Sequence, residues 1–264
     1  MSSSHQRTAL GAEVKIKRAK GHLSDLDGLI DAFKKSIKAP VIKENPKLRQ
    51  REYTFTETRG IGDDIPLRIG EILQNLRSAL DYIACALILN NGGRLTNYSG
   101  FPIAPDADEY ERTRVRHIQG MRQEAMNAID ATKPYKCNGT RTLWVLRRLN
   151  DRDKHRLLVA AAIGFNVTRI QHRPQSHIVG MGMVQTLGSS LWNVDVTPTD
   201  RMFPLKNGQV FFTQPIDITE KPKFAFDVAF NEPGVIEGEP VLPTVNELMQ
   251  LVDGIVKSLS TFLV

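Results

Sequence analysis

The sequence predicts an α+β protein in which an N-terminal helical bundle packs with a C-terminal antiparallel β-sheet and a last helix closes the chain. Apolar residues recur at helical spacing through most of residues 1–164. From residue 165 the chain is rich in Val, Thr, Phe, Gly and Pro, and short alternating segments replace the helical pattern. A helical pattern returns near the end, so we divide the chain into residues 1–164 and 165–264 and expect one compact unit.

The first helix is predicted from apolar or small residues that alternate in steps of three and four, ending before Pro40. These residues are Ile16, Ala19, Leu23, Leu26, Ile30, Phe33 and Ile37. A seam of this kind suits packing against another helix, within the chain or in a homodimer. A basic cluster, Lys15, Lys17, Arg18 and Lys20, lies near the beginning of the helix, where a solvated helix surface is the simplest interpretation.

Four further elements follow in the first 164 residues. Residues 48–58 alternate, with Tyr53 and Phe55 on one face, which predicts a half-buried strand. Three helices are predicted after it, over about 65–90, 106–131 and 140–162. Asp63 or Asp64 could cap the predicted helix 65–90.

The β-rich part offers four strand candidates, at 178–186, 191–196, 209–212 and 223–230. The dipeptide Asn207-Gly208 is a hairpin-turn signal. Pro243-Thr244 then opens the closing helix, whose apolar residues recur at helical spacing.

One polar constellation stands out on the predicted helix 65–90. A polar side of this helix opposes its apolar stripe and comprises Glu71, Asn75, Ser78 and Tyr82. Arg77 and Asp81 lie four residues apart on a flank, where they are able to pair. The C-terminal half of the helix is apolar almost all round, so Asp81 and Tyr82 would need partners.

The predicted helix 140–162 carries the second half of the constellation. If this helix is continuous, Asn150 and Asp153 fall within its apolar face, with Lys154 near the edge and His155 to the side. Polar side chains in an apolar seam need partners from a neighbouring helix. We therefore expect Asp153 to pair with Arg77 of the predicted helix 65–90. We likewise expect Asp81 of that helix to pair with Lys154 or His155.

Such a cluster suggests general acid–base chemistry. A carboxylate that holds an imidazole fixes its tautomer, and a nearby cation can stabilise a developing phosphorane charge. The candidate catalytic residues for metal-independent RNA cleavage are His155, Asp153, Arg77 and Lys154. The candidate binding residues are Glu71, Asn75, Asp81, Tyr82 and Asn150. A buried salt-bridge network that sets helix register is the alternative, and a turn at 150–153 with Asp153 as an N-cap would remove the seam.

The charge of the chain is unevenly distributed. Residues 1–173 hold 30 Lys and Arg against 19 Asp and Glu, whereas residues 174–264 hold 5 against 10. The basic part is compatible with RNA or another polyanion as partner, and equally with attraction between the two parts.

Other signals bear on location and cofactors. Two cysteines, an N-terminus without an apolar stretch and apolar runs far short of a bilayer span predict a cytoplasmic protein without membrane segments. His172 and His177 have no cysteine or carboxylate nearby in sequence, so we predict no metal site and no cofactor.

Three segments together resemble a family of bacterial proteins without an assigned activity. They are Gly70–Tyr82 (GEILQNLRSALDY), Phe101-Pro102-Ile103 and Asp153–Leu158 (DKHRLL). A looser similarity is to the HEPN superfamily of helical-bundle ribonucleases and nucleic-acid-associated domains, which implies a helical layout and nucleic-acid binding. Their signature of Arg, a polar residue and a later His is incomplete here, because no His follows Arg77-Ser78 at the expected spacing.

Three hypotheses on function follow from the sequence. The first is a nucleic-acid-binding helical bundle that cleaves RNA through His155. The second is a non-catalytic interaction or small-ligand-binding protein whose polar cluster is structural. The third is a metabolic enzyme with a pocket between the two parts. Whether the protein is an enzyme stays open at this point.

Overall fold

The computed structural model describes residues 4–56, 60–155, 161–168, 170–172, 192–194, 204–218 and 222–263. These residues form six helices and eight strands, which confirms the α+β class. The helices are α1 Ser4–Ser36, α2 Asp64–Asn90, α3 Ala107–Ile118, α4 Gln123–Ala131, α5 Arg141–His155 and α6 Val241–Ser260. The strands are β1 Val41–Asn45, β2 Gln50–Thr54, β3 Ala161–Thr168, β4 Ile170–His172, β5 Trp192–Val194, β6 Val210–Pro215, β7 Lys223–Glu232 and β8 Ile236–Pro240.

The chain divides into two units that differ from the predicted parts 1–164 and 165–264. Unit 1 consists of Met1–Ala32, Ile61–Ala161 and Phe230–Val264, and unit 2 consists of Phe33–Gly60 and Ala162–Ala229. The closing helix α6 therefore belongs with the helical part of the chain and not with the β-rich part.

Unit 1 has α2 at its centre, with α5 and α6 packed against it. The apolar stripe of α2 is buried along its whole length, as the spacing of Ile65, Ile69, Ile72 and Leu76 predicts. By length and composition α2 could also cross a membrane, since its best 18-residue window has a mean hydropathy of 1.3. Core helices share this composition, and 61% of that window is buried inside the protein.

Two helix predictions are wrong. The predicted helix 106–131 is broken into α3 and α4, because Gly120 between them has a φ of +94° and leaves the helical path. The predicted helix 140–162 ends at His155, and a strand begins at Ala161. The chain stays helical through Asn150 and Asp153, so the alternative of a turn there is wrong as well.

Two aspartates stand at the N-cap positions of α3 and α2, and they serve their helices differently. Asp106 caps α3, since its side chain accepts a hydrogen bond of 2.8 Å from the backbone N–H of Glu109. Asp63 occupies the N-cap position of α2, but its side chain makes no capping hydrogen bond. Its backbone carbonyl alone serves the helix, accepting from the N–H of Leu67 at 3.0 Å.

The strands form three groups in place of the one predicted sheet, with the orders β1-β2-β6, β3-β7-β8 and β4-β5. In unit 2, β1 and β2 make an antiparallel hairpin, and β2 pairs antiparallel with β6. Tyr53 and Phe55 are buried there, as predicted. The predicted Asn207-Gly208 turn forms, with Gly208 at a φ of +79°. The strand candidate 178–186 lies outside the described residues.

The polar cleft between α1 and α2

A polar cleft of about 660 Å³ lies in unit 1 between α1 and α2, with one residue of α5 in its lining. We call it the α1–α2 cleft. It is lined by Val14, Lys15, Arg18, His22, Leu67, Gly70, Glu71, Gln74, Asn75 and Asp153. Two contacts show that α1 and α2 run antiparallel here. A Cβ on Gly11 would lie 2.7 Å from the Tyr82 ring, while His22 contacts Arg68.

The spacing of the lining residues explains why they share one cleft. On α1, Lys15, Arg18 and His22 follow one another at intervals of three and four, so they lie on one side of the helix. On α2, Gln74 and Asn75 follow Glu71 at the same intervals of three and four residues. Two such polar stripes on antiparallel neighbours face the same groove, and the groove is polar for that reason.

Asn75 is the most informative residue of the cleft. Only 7% of its surface is exposed, and its side-chain nitrogen donates a 2.7 Å hydrogen bond to the backbone carbonyl of Glu71. Because only the amide nitrogen can donate to a carbonyl, this bond fixes the orientation of the amide. The buried Oδ1 of Asn75 then has no hydrogen-bond partner within the described residues. Asn75 therefore lines the cleft and carries an enclosed acceptor without a donor among the described residues.

Gln74, the preceding residue of α2, also has a buried side-chain oxygen. Its side-chain nitrogen lies 3.4 Å from the hydroxyl of Ser78, and its buried Oε1 has no partner within the described part of the chain. The two amide oxygens belong to adjacent residues that both line the cleft. Because a serine hydroxyl can donate or accept, the 3.4 Å contact does not fix the orientation of the Gln74 amide as the carbonyl contact fixes that of Asn75.

Lys15 and Arg18 supply positive charge on the α1 side. Lys15 is half-buried and Arg18 is exposed. Neither makes an ion pair within the described residues, whereas Lys20 on the other side of α1 pairs with Asp253 at 2.9 Å. The cleft therefore holds two cations that have no ion pair in the part of the chain that the structure describes.

His22 and Glu71 belong to a network around Arg68. The Arg68 guanidinium contacts His22 Nδ1 at 2.8 Å and donates to the Glu71 carboxylate at 2.6 Å. Because arginine only donates, Nδ1 of His22 is the acceptor in this contact and the ring hydrogen lies on Nε2. The Glu71 carboxylate is also 3.5 Å from His22 Nδ1. The charge of Glu71 is thus already compensated within the protein.

Asp153 reaches the cleft over the backbone of α2. A Cβ built on Gly70 would lie 2.7 Å from the carboxyl carbon of Asp153. Only a residue without a side chain leaves room for this carboxylate. A glycine is therefore needed at position 70, the first residue of the GEILQNLRSALDY segment, because α5 approaches α2 closely there.

The predicted pairing of Arg77 with Asp153 is wrong. Arg77 instead donates to Asp81 at 2.7 Å and to the backbone carbonyl of Phe101 at 2.8 Å. Asp81 in turn accepts from the backbone N–H of Phe101 at 3.0 Å. We call Arg77 and Asp81 the Phe101 clamp, since they bind both polar groups of one backbone residue. Neither residue lines the α1–α2 cleft.

The remaining candidate residues separate into two groups. Tyr82 is 40% exposed and packs on α1, and Asn150 is 3% exposed on α5; both lie outside the cleft lining. Lys154 and His155 end α5, and the positions of their side chains lie outside the described residues. Of the predicted site, the cleft brings together Glu71, Asn75 and Asp153, whereas Arg77 and Asp81 pair with each other outside it.

Sequence reasoning missed four residues of the cleft as site residues: Lys15, Arg18, His22 and Gln74. The interval of three and four that joins Lys15, Arg18 and His22 on α1 was visible in the sequence, but it indicated only a basic helix surface. The information that was needed is the antiparallel packing of α1 beside α2, which no local pattern contains.

Comparisons with known proteins do not place the chain in a family. No protein-family model, curated protein or solved structure matches it.

Proposed function

We propose that unit 1 binds a small polar ligand in the α1–α2 cleft without chemical transformation. The observation that carries the proposal is the unpartnered Oδ1 of Asn75. A buried acceptor without a donor costs a protein roughly 1–3 kcal/mol of stability. Such a cost is expected where function requires it, and a ligand that donates a hydrogen bond would remove it when the enclosed amide turns toward the cleft. The volume of about 660 Å³ is in the range of small-molecule sites.

The test is a thermal-shift screen of the full-length protein against defined nucleotides, amino acids, sugars and carboxylic acids. A ligand that binds as proposed raises the melting temperature of the wild type and not of Asn75→Leu, which removes the acceptor at similar volume. Asn150→Leu is the matched control, because Asn150 is also buried with an unpartnered Oδ1 but does not line the cleft. If every stabilising ligand acts equally on wild type and Asn75→Leu, the proposal fails.

Nucleic-acid binding is the second candidate function. It is favoured by the excess of basic residues in residues 1–173 and by Lys15, Lys17 and Arg18 on α1, none of which has an ion pair within the described residues. Contacts to several phosphates predict a steep loss of affinity as salt increases. RNA cleavage through His155 is the catalytic form of this candidate.

The second candidate has its own experiment. RNA and single-stranded DNA are incubated with the protein at low and high salt, with and without EDTA, and His155→Ala is run in parallel. Cleavage that survives EDTA and disappears in His155→Ala would support a metal-independent ribonuclease. Absence of both binding and cleavage at low salt would exclude this function.

A further inference from the structure

We infer that unit 1 binds a phosphate monoester at a site apart from the α1–α2 cleft, in a second cleft between α5 and the turn that joins β7 to β8. This second cleft has a volume of about 340 Å³. It is lined by Trp144, Arg147, Arg148 and Arg152 of α5, by the turn at 233–235 and by Pro105. We call it the arginine cleft. The inference goes beyond the function proposed above, because the two clefts share no lining residue.

Every side chain of this lining that can form hydrogen bonds is a donor. The three arginines and the tryptophan have N–H groups and no acceptor, and the other lining residues are proline, glycine and valine. The α1–α2 cleft differs in this respect, since the carboxylates of Glu71 and Asp153 take part in its lining. A cleft that offers only donors, most of them charged, selects a ligand that only accepts hydrogen bonds and carries negative charge. Oxyanions have both properties.

Arg152 holds one wall of the arginine cleft in place. It donates to the Glu232 carboxylate and, over 2.8 Å, to the backbone carbonyl of Pro233. The same turn is closed by the N–H of Val235, which donates to the Glu232 carbonyl at 3.0 Å. The charge of Arg152 is thus compensated by Glu232, and this arginine shapes the cleft without adding net charge to it.

Arg147 and Arg148 are the arginines that remain for a ligand. Arg147 donates through Nη1 to the carbonyl of Ile103, and its Nε lies 3.7 Å from the Asp151 carboxylate. The side chains of that pair are 44% and 43% exposed, and an ion pair so exposed to water is weak. Arg148 is exposed and has no ion pair within the described residues.

Trp144 distinguishes the arginine cleft from an ordinary basic surface. Only 8% of its surface is exposed, and its indole N–H has no acceptor among the described residues. Buried tryptophans usually have a partner for this group. The indole nitrogen keeps some access to solvent, unlike the enclosed Nη1 of Arg77, and Trp144 lines the cleft. An oxyanion in the cleft supplies the acceptor that the protein does not.

The charge around Trp144 favours a doubly charged anion. The ammonium of Lys136 lies 4.5 Å from the centre of the Trp144 ring, and this exposed lysine has no ion pair within the described part of the chain. Together with Arg148 it leaves two positive charges uncompensated. A phosphate monoester carries a charge of about −1.5 to −2 at pH 7, whereas a phosphodiester or a carboxylate carries one negative charge. The monoester therefore matches the cleft best.

The first experiment compares methyl phosphate, dimethyl phosphate and acetate in calorimetric titrations of the full-length protein at low salt and about pH 7.5. Methyl phosphate should bind roughly 5-fold or more tightly than the other two, because it alone carries a second charge. Its affinity should fall as the pH is lowered through about 6, where the phosphate takes up a proton. Equal affinity for methyl phosphate and dimethyl phosphate overturns the monoester assignment.

Variants locate the site. Arg148→Gln should weaken methyl phosphate binding roughly 10-fold or more, and Trp144→Phe roughly 3-fold or more, since each removes a donor to a charged ligand. Arg94→Gln is the matched control, because Arg94 is an exposed arginine of unit 1 outside the arginine cleft. If Arg94→Gln weakens binding as much as Arg148→Gln does, the anion responds only to the net charge of the protein and the inference fails.

The wild type gives a second readout, which does not depend on the folding of Trp144→Phe. The chain has two tryptophans, so its NMR spectrum has two indole N–H signals, and Trp192→Phe assigns them. The Trp144 signal should shift when methyl phosphate is added. A Trp144 signal that stays in place while methyl phosphate binds puts the anion elsewhere and overturns the inference.

Two further outcomes separate this site from the other candidates. Methyl phosphate binding should be unchanged in Asn75→Leu, and its loss there would move the anion to the α1–α2 cleft and overturn the arginine cleft while the proposed function stands. A single-stranded RNA oligonucleotide is titrated with and without a 5′-phosphate. If both forms bind equally and both lose affinity in Arg148→Gln, the cleft contacts the diester backbone of RNA, and the monoester assignment is overturned.

Discussion

The carboxylate of Asp153 occupies the space that a side chain at Gly70 would fill. A Cβ at position 70 would lie 2.7 Å from both the carboxyl carbon and Oδ2 of Asp153. This contact joins the last turn of α5 to α2 at the α1–α2 cleft. It also links two of the segments quoted in the sequence analysis, GEILQNLRSALDY and DKHRLL, since Gly70 begins one and Asp153 begins the other.

Gly70→Ala should therefore lower the free energy of unfolding, although glycine-to-alanine changes inside helices usually raise it by about 1 kcal/mol. The new methyl group would displace the Asp153 carboxylate, and we expect a net loss of about 1–2 kcal/mol. Gly28→Ala is the control, because Gly28 lies in α1 with no atom within 4 Å of its would-be Cβ. Urea denaturation of both variants measures the difference.

A double-mutant cycle assigns the effect to the named contact. In an Asp153→Ala background the obstructing carboxylate is absent, so Gly70→Ala should become stabilising like the control. If Gly70→Ala costs the same stability with and without the aspartate, another contact is responsible.

Asn75→Leu should raise the stability of the free protein. The substitution removes the unpartnered Oδ1. It also removes the hydrogen bond from the Asn75 side-chain nitrogen to the Glu71 carbonyl, but that carbonyl is already part of the backbone hydrogen bonding of α2. We expect a gain of about 1 kcal/mol in chemical denaturation. A loss of stability of similar size would mean that the amide oxygen has a donor in the free protein.

The Phe101 clamp should matter for stability and not for binding or cleavage. Arg77→Met would leave Asp81 and the Phe101 carbonyl without their cationic donor, and we expect a loss of about 1–3 kcal/mol in the free energy of unfolding. Arg148→Met is the control, because Arg148 is exposed and has no ion pair within the described residues. A fully stable Arg77→Met that loses RNA binding or cleavage would restore a functional role for Arg77.

The helices that could be predicted well are those with a long apolar period. The predicted bounds of α2 are within one residue of the observed ones, because its apolar stripe continues from Ile65 to Leu87 without interruption. The break between α3 and α4 could not be predicted, because Gly120 takes its positive φ where it meets Gly93, with 3.3 Å between its would-be Cβ and the Gly93 Cα. That approach joins residues far apart in sequence.

The same distinction holds for the candidate site. Glu71 and Asn75 could be identified because they are polar residues opposite the apolar stripe of their own helix. The pairing of Arg77 with Asp81, predicted from their spacing, is confirmed, whereas the predicted contact of Arg77 with Asp153 is wrong for a physical reason. A carboxylate four residues along the same helix and a nearby backbone carbonyl both accept from Nη2 of Arg77, while its buried Nη1 has no partner within the described residues.

His117 near the end of α3 should make the stability of the protein fall in mild acid. Burial lowers the pKa of its imidazole, a backbone hydrogen bond at Tyr98 opposes this, and the positive charges of Arg116, Arg77 and Arg147 lower it further. A pKa that folding lowers means that the folded state favours the neutral ring. The contribution of His117 is thus fully present above the unfolded pKa of about 6.5 and is lost as the pH falls through the folded pKa.

The measurement is the free energy of unfolding of wild type and His117→Asn between about pH 7.5 and pH 5. Asparagine keeps an N–H donor for the Tyr98 carbonyl but does not titrate in this range. The wild type should lose more stability than the variant over this interval, and an NMR titration of the His117 ring should show the lowered pKa directly. Parallel curves for the two proteins would show that another group, and not His117, accounts for the acid sensitivity.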